Sequence, residues 1–390
     1  SRFDAEDGVA AFFVDEADQN ATDLNSDGDA TDLVVHIYDG ATTTLTNTQL
    51  ASNPSTPQVE LEDGKAVIRV SEFSQGQTNF NGDADTTDNV LFVHDVATTA
   101  QANLGYECTS DSYRGIQSYA VDGGLIAFRY SEGGQNLDGN SDGDLSDAIY
   151  AIYDIAAATV TDTGLAGPQY SLALHDGYAA FLVVEWQQGN TVLNGDGDTE
   201  DWVLHLYDHG LKTTSNLISA SSTYSHDLGG GTVAVQVREA EEGTDLNGDT
   251  DTDDKVIVLH DVTGGPGRTL ALASGGSTWV ADMSDEVLAF RPRESDQGGM
   301  DLHGDGDAVD YVGHLHDLST GVTTNLGLAS ETIAVAERTV AFRVNESQQG
   351  MTDLNGDGDA TDAVLYVTVE LLFGDGFESG DTTSWSASAP

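Results

Sequence analysis

Seven ten-residue stretches concentrate Asp, Asn and Gly in a pattern that no apolar core could use. They are Asp23–Asp32 (DLNSDGDATD), Asn79–Asp88 (NFNGDADTTD), Asp138–Asp147 (DGNSDGDLSD), Val192–Asp201 (VLNGDGDTED), Asp245–Asp254 (DLNGDTDTDD), Asp301–Asp310 (DLHGDGDAVD) and Asp353–Asp362 (DLNGDGDATD). Position 1 carries an oxygen-bearing side chain in Asp23, Asn79, Asp138, Asp245, Asp301 and Asp353, and Val192 breaks the pattern in the fourth stretch. Position 3 is Asn25, Asn81, Asn140, Asn194, Asn247 and Asn355, with His303 in the sixth stretch. Position 5 is Asp27, Asp83, Asp142, Asp196, Asp249, Asp305 and Asp357. Position 7 is Asp29, Asp85, Asp144, Asp198, Asp251, Asp307 and Asp359. Position 10 is Asp32, Asp88, Asp147, Asp201, Asp254, Asp310 and Asp362. Alternating oxygen donors around glycines let a short backbone aim several oxygens at one point. That is what a hard cation needs: Ca²⁺ takes about 6–8 oxygens at roughly 2.3–2.6 Å. Without a cation, carboxylates held this close repel one another and resist ionising.

A glutamate precedes every stretch by six or seven residues: Glu16, Glu72, Glu132, Glu185, Glu239, Glu294 and Glu346. We expect it to complete the cation shell.

The stretches begin at residues 23, 79, 138, 192, 245, 301 and 353, so the chain repeats every 52 to 59 residues. A period of this size signals a solenoid, propeller or array. The flanks repeat as well. A β-branched and aromatic run comes before each stretch (Val9–Val14, Ala66–Val70, Leu125–Tyr130, Tyr178–Val184, Thr232–Val237, Val287–Arg291, Thr339–Val344). Another follows it, as in Leu33–Tyr38, Trp202–Tyr207 and Lys255–His260, and a Thr-rich run comes third, as in Thr213–Ser219 and Thr323–Ala329. A fourth short run, such as Tyr170–Leu174 or Thr278–Met283, leads into the next unit. Hairpin signals such as Asp7-Gly8, Asp63-Gly64, Asp122-Gly123 and Asp176-Gly177 close it. Four short antiparallel strands per unit is one propeller blade. The expected fold is all-β: a seven-bladed β-propeller over residues 1–373, with the acidic loop between the second and third strand of each blade, and a tail over 374–390. The seventh unit shows no fourth strand, and an open strand edge pairs with whatever strand is at hand. The tail segment Thr382–Ser388 could close its own blade or a neighbour's.

The loops resemble two calcium-binding families. DLNGDGD resembles the start of an EF-hand or dockerin loop, although the twelfth position is apolar here (Val34, Val90, Val203, Val364). The arrangement between strands is closer to the calcium loops of integrin α-subunit propellers, whose last Asp falls at position 9 rather than 10. The resemblance implies calcium as cofactor, up to seven ions, one per blade. The tail, FGDGFESGDTTSWS at Phe373–Ser386, resembles a short C-terminal segment of secreted bacterial proteins. Together these features identify the chain as similar to calcium-binding propellers of secreted bacterial proteins.

The chain has 390 residues with 67 acidic and 13 basic side chains, a formal charge of -54. Such a surface repels nucleic acid and anionic membrane. With 38% hydrophobic residues in short β-like runs, the chain is not disordered despite its acidity. The single cysteine, Cys108, reads as a lone loop thiol. No apolar run reaches the roughly 20 residues that span a bilayer. The abrupt start at Ser1, with no leader, is expected of a processed secreted protein.

No HExxH, GxSxG or phosphate-cradling loop occurs. His36, His94, His205, His260, His314 and His316 recur with the blade, which suits packing. His175 and His226 stand beside Asp176 and Asp227, but sequence neighbours point to opposite faces of a strand. Arg69, Arg129, Arg291 and Arg343 recur at one place in the second strand and are expected to pair with acidic groups. The expected role is therefore non-enzymatic: a secreted, extracellular structural or adhesive module at the cell surface, assembling head-to-tail with copies of itself. The alternatives are a glycan- or protein-binding, lectin-like propeller, or a propeller lyase or hydrolase. Trp186, Trp202, Trp279 and Trp385 are too scattered to mark a binding cluster.

Overall fold

A computed structural model describes residues 3–108, 119–168, 172–195, 197–220, 226–273 and 281–369. The tail, Asp196, Trp279 and Trp385 lie outside them, as do parts of the Tyr170–Leu174 and Thr278–Met283 runs.

The first sheet is a meander of β1 (Phe3–Glu6), β2 (Val9–Asp15), β3 (Leu33–Asp39) and β4 (Thr44–Ser52), paired in chain order. The second repeats it with β5 (Val59–Glu62), β6 (Lys65–Ser71), β7 (Asn89–Asp95) and β8 (Gln101–Glu107). The third holds β9 (Tyr119–Asp122), β10 (Leu125–Ser131), β11 (Ala148–Asp154) and β12 (Thr159–Ala166). The fourth holds β13 (Leu172–His175), β14 (Tyr178–Val184), β15 (Trp202–Asp208) and β16 (Thr213–Ala220). The fifth runs β17 (His226–Gly229), β18 (Thr232–Arg238), β19 (Lys255–Asp261) and β20 (Arg268–Ala273). Every acidic loop joins the second and third strand of its repeat, as the sequence predicts.

The sixth sheet departs from expectation. It has six strands: β21 (Ala281–Met283), β22 (Val287–Phe290), β23 (Val312–Asp317), β24 (Thr323–Ala336), β25 (Thr339–Asn345) and β26 (Ala363–Val369). Six separate sheets therefore carry the seven repeats. The reason lies in β24, a strand of 14 residues that is the last strand of the sixth repeat and the first of the seventh. It pairs with β23 through Ala329 and with β25 from Ser330 onward, with a register shift between Ser330 and Thr332. Its middle, Leu328-Ala329-Ser330-Glu331-Thr332, contains no Gly or Pro to break the strand. The corresponding connection after β4 contains Pro54 and Pro57, and the one after β12 contains Gly167-Pro168.

The chain divides into two compact units, residues 1–243 with 258–268 and residues 244–257 with 269–390. In the first unit the core lies between successive sheets. Ala11, Val35 and Ile37 pack on Val59, Ile68 and Phe92, and Val67, Leu91 and Val93 pack on Phe128 and Tyr130. Tyr150 and Ile152 meet Phe181 and Val183, with the Tyr150 and Phe181 rings stacked at 4.4 Å. In the second unit Val287 and Leu315 pack on Phe342 and Val344. Alternating side chains thus bury both faces of the inner strands. Cys108 is buried in the core rather than on a loop.

Glu60 on β5 sits half-buried, and burial, with Asp4 and Glu62 nearby, raises its carboxyl to about 8. The folded chain holds this proton more tightly than the unfolded chain, whose carboxyl titrates at its ordinary value. The stability it contributes is complete below that ordinary value and is lost as pH rises through about 8. Glu60→Gln, a mimic of the protonated acid, should melt higher than the parent at pH 8.5 and level with it at about pH 4.5. Equal melting of the two chains at both pH values would refute the assignment.

Candidate metal centres

In six repeats the acidic loop is tied off by the glutamate at the end of the strand before it. Glu16, Glu72, Glu132, Glu185, Glu239, Glu294 and Glu346 are all fully buried. In the first repeat Glu16 Oε1 accepts from the Leu24 amide at 2.5 Å and Oε2 from the Asp32 amide at 3.0 Å. Glu294 does the same with Leu302 (2.6 Å) and Asp310 (3.1 Å), and Glu346 with Leu354 (2.7 Å) and Asp362 (3.1 Å). Glu72, Glu132 and Glu185 grip the equivalent amides. One buried carboxylate thus joins both ends of the loop. Sequence reasoning assigned this residue only a cation to hold; the bonds to both ends of the loop are an additional role. The carboxylate also stays within reach of the loop acids: in Glu16–Asp29–Asp32, Glu72–Asp85–Asp88 and Glu132–Asp144–Asp147, one ligand atom from each lies within 4.8 Å of the others.

Inside the loop the acids order the backbone. Asp23 accepts from the Ser26 amide (2.6 Å) and the Gly28 amide (3.1 Å), and Asp353 accepts in the same way from Gly356 and Gly358. Gly28 and Gly358 have φ of 107° and 101°, open to glycine and strained for other residues. Position 5 takes the position-7 amide on Oδ1, as Asp27 does from Asp29 (3.0 Å) and Asp357 from Asp359 (3.1 Å). Position 7 takes the position-9 amide on Oδ1, as Asp29 does from Thr31 (3.0 Å). The carboxylates gathered in each loop form a hard, all-oxygen donor set of the kind that suits Ca²⁺.

The last acid of the loop records the strain of the bare site. Burial first, then neighbouring carboxylates, raises Asp32, Asp147 and Asp310 to about 6. Burial, with nearby acids, raises Asp88 and Asp254 to about 7. A divalent cation would reverse that repulsion.

The sixth loop differs. The His303 ring faces Glu294 Oε1 (2.9 Å), Asp305 Oδ2 (3.5 Å), Asp310 Oδ2 (3.8 Å) and Asp301 Oδ1 (4.0 Å). Burial pushes this imidazole down, but the bonds to Glu294 and the Gln348 carbonyl outweigh it and raise it overall. His303 thus stands where the other loops carry an asparagine, ringed by four carboxylates.

Two features escaped the sequence reading. Gln75, Gln135, Gln188 and Gln349 stand three residues after the clamping glutamate. Each grips the last strand of the preceding repeat: Gln188 accepts from the Ala166 amide (2.9 Å) and donates to the Gly164 carbonyl (3.0 Å). Gln75, Gln135 and Gln349 repeat both bonds. The recurrence of Glu-x-x-Gln was the available signal. The second feature is a tryptophan pair: Trp186 and Trp202, far apart in sequence, meet edge-to-face at 6.5 Å beside the fourth loop.

Arg129 donates to the Gly167 carbonyl (2.9 Å) and Arg291 to the Ser330 carbonyl (2.9 Å), so both bind backbone between strands. Arg343 does form the expected ion pair, with Glu331 at 2.9 Å. The strand histidines are packed as expected: His205 and His314 hold the Val203 and Val312 carbonyls at 3.0 Å, and burial lowers both. His226 is lowered by burial to about 4 and bonds the Ala180 carbonyl at 3.0 Å.

Neither a protein-family model nor a curated protein matches the chain. Solved structures do. Dipeptidyl peptidase 4 of Porphyromonas gingivalis matches with TM-score 0.50 and 12% identity, over 93% of this chain and 49% of that one. The β-propeller domain of the trilobed protease of Pyrococcus furiosus matches with TM-score 0.45 and 10% identity, over 88% of this chain and 90% of that one. The acylaminoacyl peptidase of Pyrococcus horikoshii matches with TM-score 0.41 and 11% identity, over 94% of this chain and 50% of that one. The chain is an all-β protein of the β-propeller type. It spans about half the length of the dipeptidyl and acylaminoacyl peptidases. These neighbours correct one expectation. The dipeptidyl peptidase is an enzyme, not an adhesive or structural module, and the expectation of a non-enzymatic, self-assembling building block is withdrawn.

Proposed function

We propose that the chain is a seven-bladed propeller loaded with calcium, exported to a calcium-rich exterior, whose role is peptidase-related: it holds protein or peptide for hydrolysis. The observation that carries the calcium part is the recurring loop, closed at both ends by one buried glutamate and filled with hard oxygen donors. The blade count is supported by β24, which serves two repeats as a single strand. The peptidase-related part is supported by the likeness to peptidase propellers. Charge favours cationic peptide segments as ligands: seven divalent ions would bring the formal charge of -54 only to -40.

A second reading, glycan binding, is favoured by one observation. Trp186 is 48% exposed and is braced edge-to-face by Trp202 beside the fourth loop, an exposed indole on which a sugar ring can stack.

The test has two parts. Metal analysis of the dialysed chain should find about seven calcium ions per chain, all removed by chelation. A fluorescent Lys/Arg-rich peptide should then bind, by anisotropy, or be cleaved, by mass spectrometry, in calcium. A chain that takes up no calcium refutes the first part. One that takes up calcium yet neither binds nor cleaves the peptide refutes the second.

A further inference from the structure

Position 3 of the loop reaches out of its own repeat. Asn25 Nδ2 donates to the Ser74 carbonyl (2.8 Å), Asn81 to Gly134 (3.4 Å), Asn140 to Gln187 (2.6 Å) and Asn247 to Asp296 (3.1 Å). The acceptor in every case is two residues after the clamping glutamate of the following repeat. His303 keeps this contact although it has no amide: its Nε2 reaches the Gln348 carbonyl at 2.9 Å, again two residues after the next glutamate. A side chain of different chemistry preserves the contact with the next repeat and not the oxygen. Position 5 adds a second contact. The turn glycines Gly76, Gly189 and Gly350 lie so close to Asp27, Asp142 and Asp305 that an added Cβ would sit 3.1, 3.0 and 3.1 Å from the aspartate Cβ.

We infer that the position-3 side chain is a positioning residue that latches each loop onto the glutamate turn of the next repeat, so that a cation in one loop tightens the next. The inference rests on the calcium reading above. An empty loop repels itself and leaves the latch poorly held. A filled loop fixes Asn140 against Gln187, and so holds the turn from which Glu185 grips both ends of the fourth loop. Part of the cost of ordering the fourth loop is then already met when its ion arrives. The coupling is reciprocal, because it is a free energy shared by both sites.

The test uses the full chain in millimolar calcium, with hydrogen exchange of single amides as readout. Asp144→Ala empties the third loop without touching the latch. In the parent background it should speed exchange at residues 193 and 201 of the fourth loop on the order of tenfold. In an Asn140→Ala background, Asp144→Ala should change exchange only within residues 138–147. Asn140→His, which copies the sixth loop, should restore the effect on the fourth loop. The inference is overturned if Asp144→Ala acts only within its own loop in the parent background, or if Asn140→His fails where Asn140→Ala fails. Full calcium occupancy of the parent chain with either result would refute the coupling alone; a parent chain without calcium would refute the reading beneath it. If Asn140→Ala does not fold, Asn25→Ala tests the same latch, read at residues 80 and 88 with Asp29→Ala as the emptying change.

Discussion

In chelator the chain should melt roughly 20 °C or more below its midpoint in millimolar calcium. The size follows from mass action. An ion at about a hundredfold excess over its dissociation constant adds about 2.7 kcal/mol per site. Each compact unit holds several loops, so the increments add up within one melting transition. For chains of about 150–250 residues, 1 kcal/mol moves the midpoint by about 2–4 °C. The raised carboxyls of Asp88 and Asp254 point the same way, because the bare loops are sites of unrelieved repulsion at neutral pH. Differential scanning calorimetry of one preparation, dialysed against calcium or chelator, decides the matter. Coincident melting curves would mean that the loops are solvated turns with no ion to hold.

The second large effect belongs to the glutamate clamp. Glu185→Ala removes the acceptor from the amides of Leu193 and Asp201 at opposite ends of the loop. Each buried amide left without a partner costs about 1–3 kcal/mol, so the variant should lose roughly 3–5 kcal/mol, or roughly 10 °C, and one calcium ion. Glu185→Gln retains one acceptor oxygen and should fall between the two. The comparison separates two roles for the same carboxylate. A pure cation ligand would cost Glu185→Ala its stability only in calcium. A clamp costs stability in chelator as well. A variant that melts with the parent in both buffers would exclude both roles.

The acidic loops and the strands around them are legible because their signals are local. Asp and Gly mark a turn by their own chemistry, and alternating Val, Ile and Phe mark a strand. The glutamate at the end of the second strand is legible as a recurrence, but its grip on amides on either side of the loop is not, since those bonds form only once the loop has closed. The same holds for Gln188, whose partners at Gly164 and Ala166 belong to the preceding repeat. Asn140 reads as a ligand from its spacing, but the second use of the same side chain, with Nδ2 donating to the Gln187 carbonyl 47 residues away, is not legible. Trp186 and Trp202 appear scattered in the chain because the loop between them folds out and returns them to one rim. The unbroken β24 was not legible: 328–332 lacks Gly and Pro, but so does 221–225, which joins two separate sheets. The functional expectation failed for another reason. A repeat pattern specifies a scaffold, and the use made of a scaffold is decided by its surfaces rather than its period.

The long strand also sets how the last two repeats respond to force. Between the first and second sheets a turn separates one meander from the next, and tension applied along the chain can peel a single sheet away. At β24 the same backbone is hydrogen-bonded to β23 over one half and to β25 over the other. Pulling on the chain beyond β26 would load both neighbours at once, so the sixth and seventh repeats should yield in a single rupture and extend together, giving the far end of the domain a mechanical grip that a lone three-stranded sheet could not provide.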